Sequence, residues 1–343
     1  MHAVRSVDRF TGTPAEWNAF VQSAPGWTHY HLAGWRSVIE RQFAHECPYL
    51  AARDASGALT GVLPLVRVRS ALFGHYLVSM PFLNYGGPLG SADAVAALVS
   101  HAAELADASG ADLLELRARD ELITALSVSH RKITVVLDLS VGDANRQWSA
   151  LDAKVRSQIR RPRKEGVSVQ FGSDHVGPFF EVFAHHMRDL GTPAHSRGLF
   201  EALADKFDDT VWFGVAYLAG RPIAAGCGFR WADEFELVWA AALREHNRIA
   251  PNMLLYWQFI ERCIGDGVNR FNFGRCSPGS GTHRFKQQWG GRDERLWWYQ
   301  RSRGRSTTPS PDDARFRWGP RVWRHLPVPV ATLLGQHVVR YLP

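Results

Sequence analysis

Phe271-Asn272-Phe273-Gly274-Arg275-Cys276-Ser277-Pro278-Gly279-Ser280-Gly281-Thr282-His283-Arg284-Phe285-Lys286-Gln287-Gln288-Trp289-Gly290 is a strand, a glycine-rich turn and a helix in succession. Such a junction aims backbone N–H groups at an anion. No GKS or GKT follows the glycines, so this is not a Walker A loop, and the GxSxG spacing of a nucleophile elbow is absent. Lys286 stands beside Phe285 in the helix, where an ammonium can hold a phosphate or a developing oxyanion away from water. A turn built only for packing is the competing reading.

Upstream of this stretch the order of signals is one the chain has already used. Val211 to Leu218 and Ile223 to Trp231 flank Ala219-Gly220-Arg221-Pro222, a helix follows over Asn252 to Ile264, and a strand over Asn269 to Phe273. In the first half, Pro48 to Arg53 and Leu59 to Val68 flank Asp54-Ala55-Ser56-Gly57, and a helix over Ala92 to Ser109 leads to a strand over Asp112 to Arg117. Gly57 and Gly220 are 163 positions apart, and Gly110 and Gly267 are 157 apart, so hairpin, helix and strand recur at nearly one spacing. That recurrence predicts a duplicated α+β domain. We place the N-terminal domain at 1–145, the C-terminal domain at 146–303, and a Pro/Arg-rich loop and tail at 304–343, with the tail packed back on the core.

The 343 residues suffice for two such domains without disulfides or metal staples. Hydrophobic residues at 45% and charged residues at 21% exclude a disordered chain and a multi-span membrane protein. The net charge of +7 comes from 40 Lys and Arg against 33 Asp and Glu, and only five of the cations are lysines. Six of them fall between Lys154 and Lys164 with no acid: Lys154, Arg156, Arg160, Arg161, Arg163 and Lys164. An uncompensated run repels itself unless an anion lies near, so this arm is expected to meet phosphates. A second basic stretch, Arg292 to Arg324, carries nine Arg against four acids around an exposed Ser-Thr-Thr-Pro-Ser-Pro loop.

Cys47, Cys227, Cys263 and Cys276 form no CxxC pair, which fits a reducing compartment. His29 with His31 and His185 with His186 lack acidic or thiolate partners at ligand spacing, so no metal site is expected. The first residues lack the apolar core of a signal peptide, so the protein is expected in the cytoplasm. Trp318 to Pro343 is too short and too broken by proline to span a bilayer, leaving packing on the core or contact with the inner face of a membrane. A second glycine turn, Pro81-Phe82-Leu83-Asn84-Tyr85-Gly86-Gly87-Pro88, offers an amide and a phenol to a polar ligand.

Four segments, MPFLNYGGPLG from Met80, KVRSQIRRPRKEGV from Lys154, HHMRDLGTPAHS from His185 and FNFGRCSPGSGTHRFKQQWG from Phe271, resemble the FemAB-like branch of the GNAT acyltransferase superfamily. The likeness is to the FemAB-like proteins of exosortase (PEP-CTERM) and exopolysaccharide loci. It implies two tandem GNAT-like domains, each a mixed, mainly antiparallel sheet flanked by helices. It also implies transfer of an acyl or aminoacyl group to an amine, in Fem enzymes from aminoacyl-tRNA to a peptidoglycan-precursor peptide. On that likeness Phe285 and Lys286 belong at the donor end of the site, and Glu236 is a nominee for a catalytic carboxylate. Lys154, Arg156, Arg160, Arg275 and Ser277 are expected on the donor, and Trp35, Asn84 and Tyr85 on the acceptor. The donor, aminoacyl-tRNA or acyl-CoA, would be a co-substrate, with no permanently bound cofactor.

One stretch departs from the superfamily. Its acetyl-CoA enzymes carry an R/Q-x-x-G-x-G/A loop before a helix, whereas Arg244-Glu245-His246-Asn247-Arg248-Ile249-Ala250-Pro251 has no glycine. Together with the basic arm, this tilts the expectation toward a larger polyanionic donor such as aminoacyl-tRNA. A nucleic-acid-binding protein using 154–164, and a non-catalytic GNAT-like scaffold, are the alternative readings.

Overall fold

The computed structural model describes residues 4–70, 73–303 and 319–342. The Ser-Thr-Thr-Pro-Ser-Pro loop and the middle of the arginine-rich stretch, 304–318, lie outside the described residues. The first half contains β1 (Val4–Arg9), α1 (Pro14–Ser23), α2 (Gly34–Phe43), β2 (Leu50–Asp54), β3 (Leu59–Leu63), β4 (Leu65–Ser70), β5 (Gly74–Ser79), β6 (Leu89–Gly90), α3 (Ala92–Ala108), β7 (Leu113–Ala118) and β8 (Ser127–Ser129). The second half contains β9 (Ile133–Asp138), α4 (Ala144–Ala150), α5 (Ala153–Lys164), β10 (Ser168–Phe171), α6 (Val176–Leu190), α7 (Arg197–Phe207), β11 (Val211–Leu218), β12 (Arg221–Trp231), β13 (Glu234–Ala242), α8 (Pro251–Gly265), β14 (Arg270–Cys276), α9 (Gly281–Gln287), β15 (Arg292–Arg295), β16 (Trp297–Ser302), α10 (Gly319–Trp323) and α11 (Val328–Val339).

Local chemistry sets the element ends. Thr13 accepts the Glu16 N–H at the start of α1, with Pro14 in the first turn, and Ser91 accepts the Ala94 N–H at the start of α3. The β11–β12 hairpin turns through Ala219 and Gly220, both left-handed at φ 48° and 77°, as a two-residue hairpin turn requires. α3 presents Ala94, Leu98, Ala102 and Ala106 to its own core. A Cβ at Gly61 would lie 2.8 Å from the Ala94 methyl, so the glycine in β3 is what lets the helix approach.

The chain divides into two compact units, Met1–Arg131 with Arg295–Asp313 and Val339–Pro343, and Lys132–Glu294 with Ala314–Val338. The join therefore lies earlier than the 145/146 boundary read from sequence, and the second crossing earlier than 303/304. The reason is a pair of exchanged strands. In the first unit the sheets run β1-β2-β3-β6 and β4-β5-β7-β16-β8; in the second, one sheet runs β10-β11-β12-β13-β14-β9-β15. β9 follows the first unit in sequence yet pairs antiparallel with β14, and β16 follows the second unit yet pairs antiparallel with β7. Each unit also holds one parallel pair joined through a helix. β5 pairs with β7 over Tyr76, Leu77 and Val78, and β13 with β14 over Glu234, Phe235 and Glu236. The architecture is α+β, with mixed sheets flanked by helices.

In the second unit α8 is buried along nearly its whole length, packed with Val155 and Ile159 of α5 against Phe235, Leu237 and Phe271 of the sheet. The other face is covered by α6 and α7, whose Phe179 and Phe200 rings meet edge-on at 4.8 Å. Each fully buried ring of this kind contributes about 1.5–3 kcal/mol relative to exposure.

Candidate functional site

β13 and β14 are paired only at their first residues. The register runs Glu234–Arg270, Phe235–Phe271 and Glu236–Asn272 and then stops, while β13 continues to Ala242 and β14 to Cys276. Beyond Glu236 the two parallel strands part, and the side of β13 that faced β14 is left unpaired by that strand. On its other side β13 stays bound to β12, with a bulge: Leu237 pairs with Gly228 and Trp239 with Cys227, so Val238 is extra. The bulge reverses the alternation. Phe235 and Leu237 point into the α8 core, whereas Trp239 packs its ring on Phe200 and Phe229, on the α6–α7 side.

The parting is held by a buried polar knot. Asn272 Nδ2 donates to Glu234 Oε1 at 2.9 Å, and Asn272 Oδ1 accepts from Thr134 Oγ1 at 2.5 Å and from the Gly274 N–H at 2.8 Å. Arg270 closes the far side, 3.4 Å from Glu234 Oε2 and 3.0 Å from Asp233. The β14–β9 register slips between Asn272 and Arg275, and Gly274 takes φ 74° there. A side chain at Gly274 would be strained in that conformation.

Lys286 ends the strand. It is buried in α9, and its Nζ donates to the carbonyl oxygens of Gly274 at 2.6 Å and Arg275 at 3.0 Å. Burial lowers its pKa to about 8, against the upward pull of Cys276 and Glu236, with Arg275 lowering it further. Glu236, itself wholly buried, is thus within electrostatic reach of the ammonium. Phe285, next to the lysine, meets Tyr256 edge-on at 5.0 Å, and Tyr256 stacks with Phe273 and Trp289. The structure therefore brings Lys286, Phe285, Glu236 and Arg275 together at one end of the split.

The glycine turn itself closes inward. The Gly279 N–H donates to His283 Nδ1 at 3.0 Å, and the Ser280 N–H to the Ser277 carbonyl at 3.2 Å. Because Nδ1 accepts, the ring proton sits on Nε2 and is donated to Asp293 at 2.9 Å. Arg284 donates to the Gly279 carbonyl, and Ser280 caps α9 by accepting the His283 N–H. The anion cradle expected from the sequence is thus not formed by these two amides, which are spent within the turn. Ser277 accepts from Lys132 Nζ at 2.7 Å, which ties the turn to the start of β9.

The basic arm is α5, and its cations divide by face. Asp152 caps the helix through the Lys154 N–H, and the Lys154 side chain is exposed. Arg156 instead donates back to the carbonyls of Leu151 and Ser149, and the Arg160 guanidinium lies 5.2 Å from the Trp148 ring centre. These two hold the α4–α5 corner. Arg161 donates to the Arg248 carbonyl at 3.0 Å, on the glycine-free stretch before α8. That stretch is a 3-10 turn over Arg244–Ile249, and Ala250 adopts φ 54° where a glycine would be unstrained.

Trp35, Asn84 and Tyr85 lie in the first unit, all buried, and so belong to a different compact unit from Lys286. Tyr85 meets Tyr30 edge-on at 5.1 Å, and Trp35 packs near Tyr30 and His29. Their turn carries two bulky residues in the left-handed region, Met80 at φ 52° and Phe82 at φ 69°. Arg117 holds it by donating to Leu83 O at 3.0 Å, and is itself buried against Glu115 at 2.7 Å. Sequence reasoning missed Asn272, Glu234, Thr134, His283, Asp293 and Lys132. The scarcity of lysine was the one signal that pointed at Lys132.

Among the described residues no cluster of three or more His, Cys, Asp or Glu has metal-binding geometry, and no helix is long and apolar enough to cross a membrane. Residues 149–287 match the family model of the acetyltransferase (GNAT) domain. No curated protein matches the chain in sequence. Among solved structures, FemX superposes with a TM-score of 0.66 at 14% identity, over 86% of this chain and 97% of FemX. The C-terminal domain of a putative lysylphosphatidylglycerol synthetase from Agrobacterium fabrum gives 0.56 at 12%, over 90% and 96%. L-PGS from Bacillus licheniformis gives 0.55 at 12%, over 95% and 98%. The chain has the fold of FemX, and within it residues 149–287 match the GNAT-domain model.

Proposed function

We propose that this chain is a FemAB-like N-acyltransferase that moves an acyl or aminoacyl group from an activated donor to an amine of a cell-envelope or exopolysaccharide precursor. The observation that carries the reading is the split between β13 and β14, closed at one end by the buried Lys286. The unpaired side of β13 offers backbone donors and acceptors to an amide-bearing arm of the donor, as an exposed sheet edge does for a peptide. The acceptor's neutral amine attacks the donor carbonyl, and the C–N bond forms as the carbonyl π electrons move to oxygen. Collapse of the tetrahedral species breaks the bond to the ester oxygen or thioester sulfur, which leaves as the alcohol or thiol by taking up the proton that the amine gives up.

Two of the three Lys286 N–H groups are committed to Gly274 and Arg275, which fixes the direction of the third. That third N–H is assigned to the oxyanion, with Glu236 keeping the ammonium charged and Phe285 walling the site from water. Lys154, Arg275 and Ser277 are assigned to the donor's anionic handle; Arg156 and Arg160 support the helix that presents Lys154. Acyl-CoA and aminoacyl-tRNA are both cytoplasmic, which is where we place the reaction.

The test is product mass spectrometry with acetyl-CoA, longer acyl-CoA and charged tRNA against amine-bearing peptides and amino sugars. One donor should give acceptor-dependent transfer, and Lys286→Ala should reduce it at least about a hundredfold while the protein stays folded. Full activity in Lys286→Ala would remove the assigned role. Absence of transfer with steeply salt-dependent tRNA binding would favour the nucleic-acid reading.

A further inference from the structure

The C-terminal helix turns its apolar stripe outward. Val330, Leu333, Leu334 and His337 follow the i, i+3, i+4, i+7 spacing of a core-facing surface, yet the three apolar side chains are 41%, 60% and 46% exposed. The face that packs inward is made of small residues, Ala331 and Gly335. A Cβ at Gly335 would lie 2.9 Å from the Ala194 backbone nitrogen, so α11 is seated backbone to backbone with its larger side chains left outside. Val322 of α10 and Leu190 at the end of α6 add to the same unit's exposed apolar surface. Five of the eight exposed large hydrophobics among the described residues are thus in α6, α10 and α11.

The charged side chains of the segment that carries this surface have one sign. From residue 314 to 343 the sequence contains no Asp or Glu, while Arg321 and Arg324 are exposed on and after α10. Arg324 donates to the Leu190 carbonyl and Arg188 to the Leu326 carbonyl, which holds the segment to α6. Asp189 is neutralised by Arg188 at 2.7 Å; Glu181, lining the groove with Val328 and Leu333, is the acid that faces the helix. Exposed apolar side chains on α11, preceded along the same segment by the exposed Arg321 and Arg324 and the half-buried Trp323, match the chemistry of an anionic bilayer surface, where both parts act together.

We propose that α10 and α11 dock this protein peripherally on a membrane rich in anionic phospholipid, with Val330, Leu333 and Leu334 entering the headgroup–acyl boundary. This stands independently of the acyl-transfer reading. The test is co-sedimentation of the full chain with large vesicles of phosphatidylcholine alone or mixed in equal parts with phosphatidylglycerol, alongside size-exclusion chromatography. Binding to the mixed vesicles, weakened by salt and at least about tenfold weaker in the Leu333→Ser, Leu334→Ser double variant, supports the proposal. A weaker loss is expected in Arg321→Ala. Absence of binding to the mixed vesicles, or binding undiminished in the double variant, overturns it. A wild-type dimer that the double variant splits, with no vesicle binding, also overturns it and assigns the face to a second copy of the chain.

Discussion

The Lys286 ammonium lies 2.6 Å from the carbonyl oxygen of Gly274, so a side chain from α9 occupies the backbone of β14 just where that strand has left β13. A second carbonyl, that of Arg275, is held at 3.0 Å by the same nitrogen. The cost of burying a cation is offset only in part by these two acceptors, and the charge is kept at the mouth of the split.

A pH dependence of stability follows. The Lys286 pKa falls from 10.5 to about 8 in the folded chain. Between those values the unfolded chain binds more protons than the folded one, so stability rises with pH across that window. Below it both states are protonated, and the penalty is constant. Compared with Lys286→Met, the wild type should gain on the order of 3 kcal/mol over this range in urea titrations. Parallel stabilities at every pH would contradict the buried, charged placement.

Asn272 is predicted to be the most sensitive polar position near the split. Replacing it by Ala leaves Glu234 Oε1, Thr134 Oγ1 and the Gly274 N–H without this partner. The loss should be about 2–4 kcal/mol, read as a shift in the denaturation midpoint with an unchanged m-value.

His283 should be a neutral Nε2–H tautomer, because its Nδ1 accepts the Gly279 N–H. Nitrogen NMR of the imidazole checks this directly. His283→Ala and Asp293→Ala should each cost about 1 kcal/mol and should be strongly non-additive in a double-mutant cycle, since each removes the same link. Additive effects would show that the two side chains act separately.

The cations of α5 should separate by role. Arg156→Ala strips the Leu151 and Ser149 carbonyls of a donor and should cost about 1 kcal/mol in stability. Lys154→Ala, at an exposed position, should change stability by less than about 0.5 kcal/mol while weakening donor binding and flattening its salt dependence. Equal effects on stability would remove the distinction.

What the sequence made legible was set locally. The hairpins at Gly57 and Gly220 and the helix stops at Gly110 and Gly267 depend on left-handed backbone, which the residues themselves announce. The exchange of β9 and β16 was hidden, because a short β run names no partner and its pairing is decided by residues over a hundred positions away. The run from Lys154 to Lys164 read as one arm, but helical geometry sends Arg156 back to its own corner and Arg160 over Trp148. The glycine turn suggested free amides; the histidine four residues beyond Gly279 takes one of them, a pairing that exists only once α9 has formed. Lys286 was found through its place beside Phe285 after the glycine turn, whereas its two carbonyl partners required the bend at Gly274.

Amide hydrogen exchange over Leu237–Ala242 tests the central claim most directly, because that segment is the side of the split from which β14 has departed. With acetyl-CoA, longer acyl-CoA and charged tRNA added in turn, the donor that supports transfer should slow exchange in this segment, and Lys286→Ala should reduce that protection. A donor that binds and supports transfer while leaving Leu237–Ala242 unprotected would contradict the account.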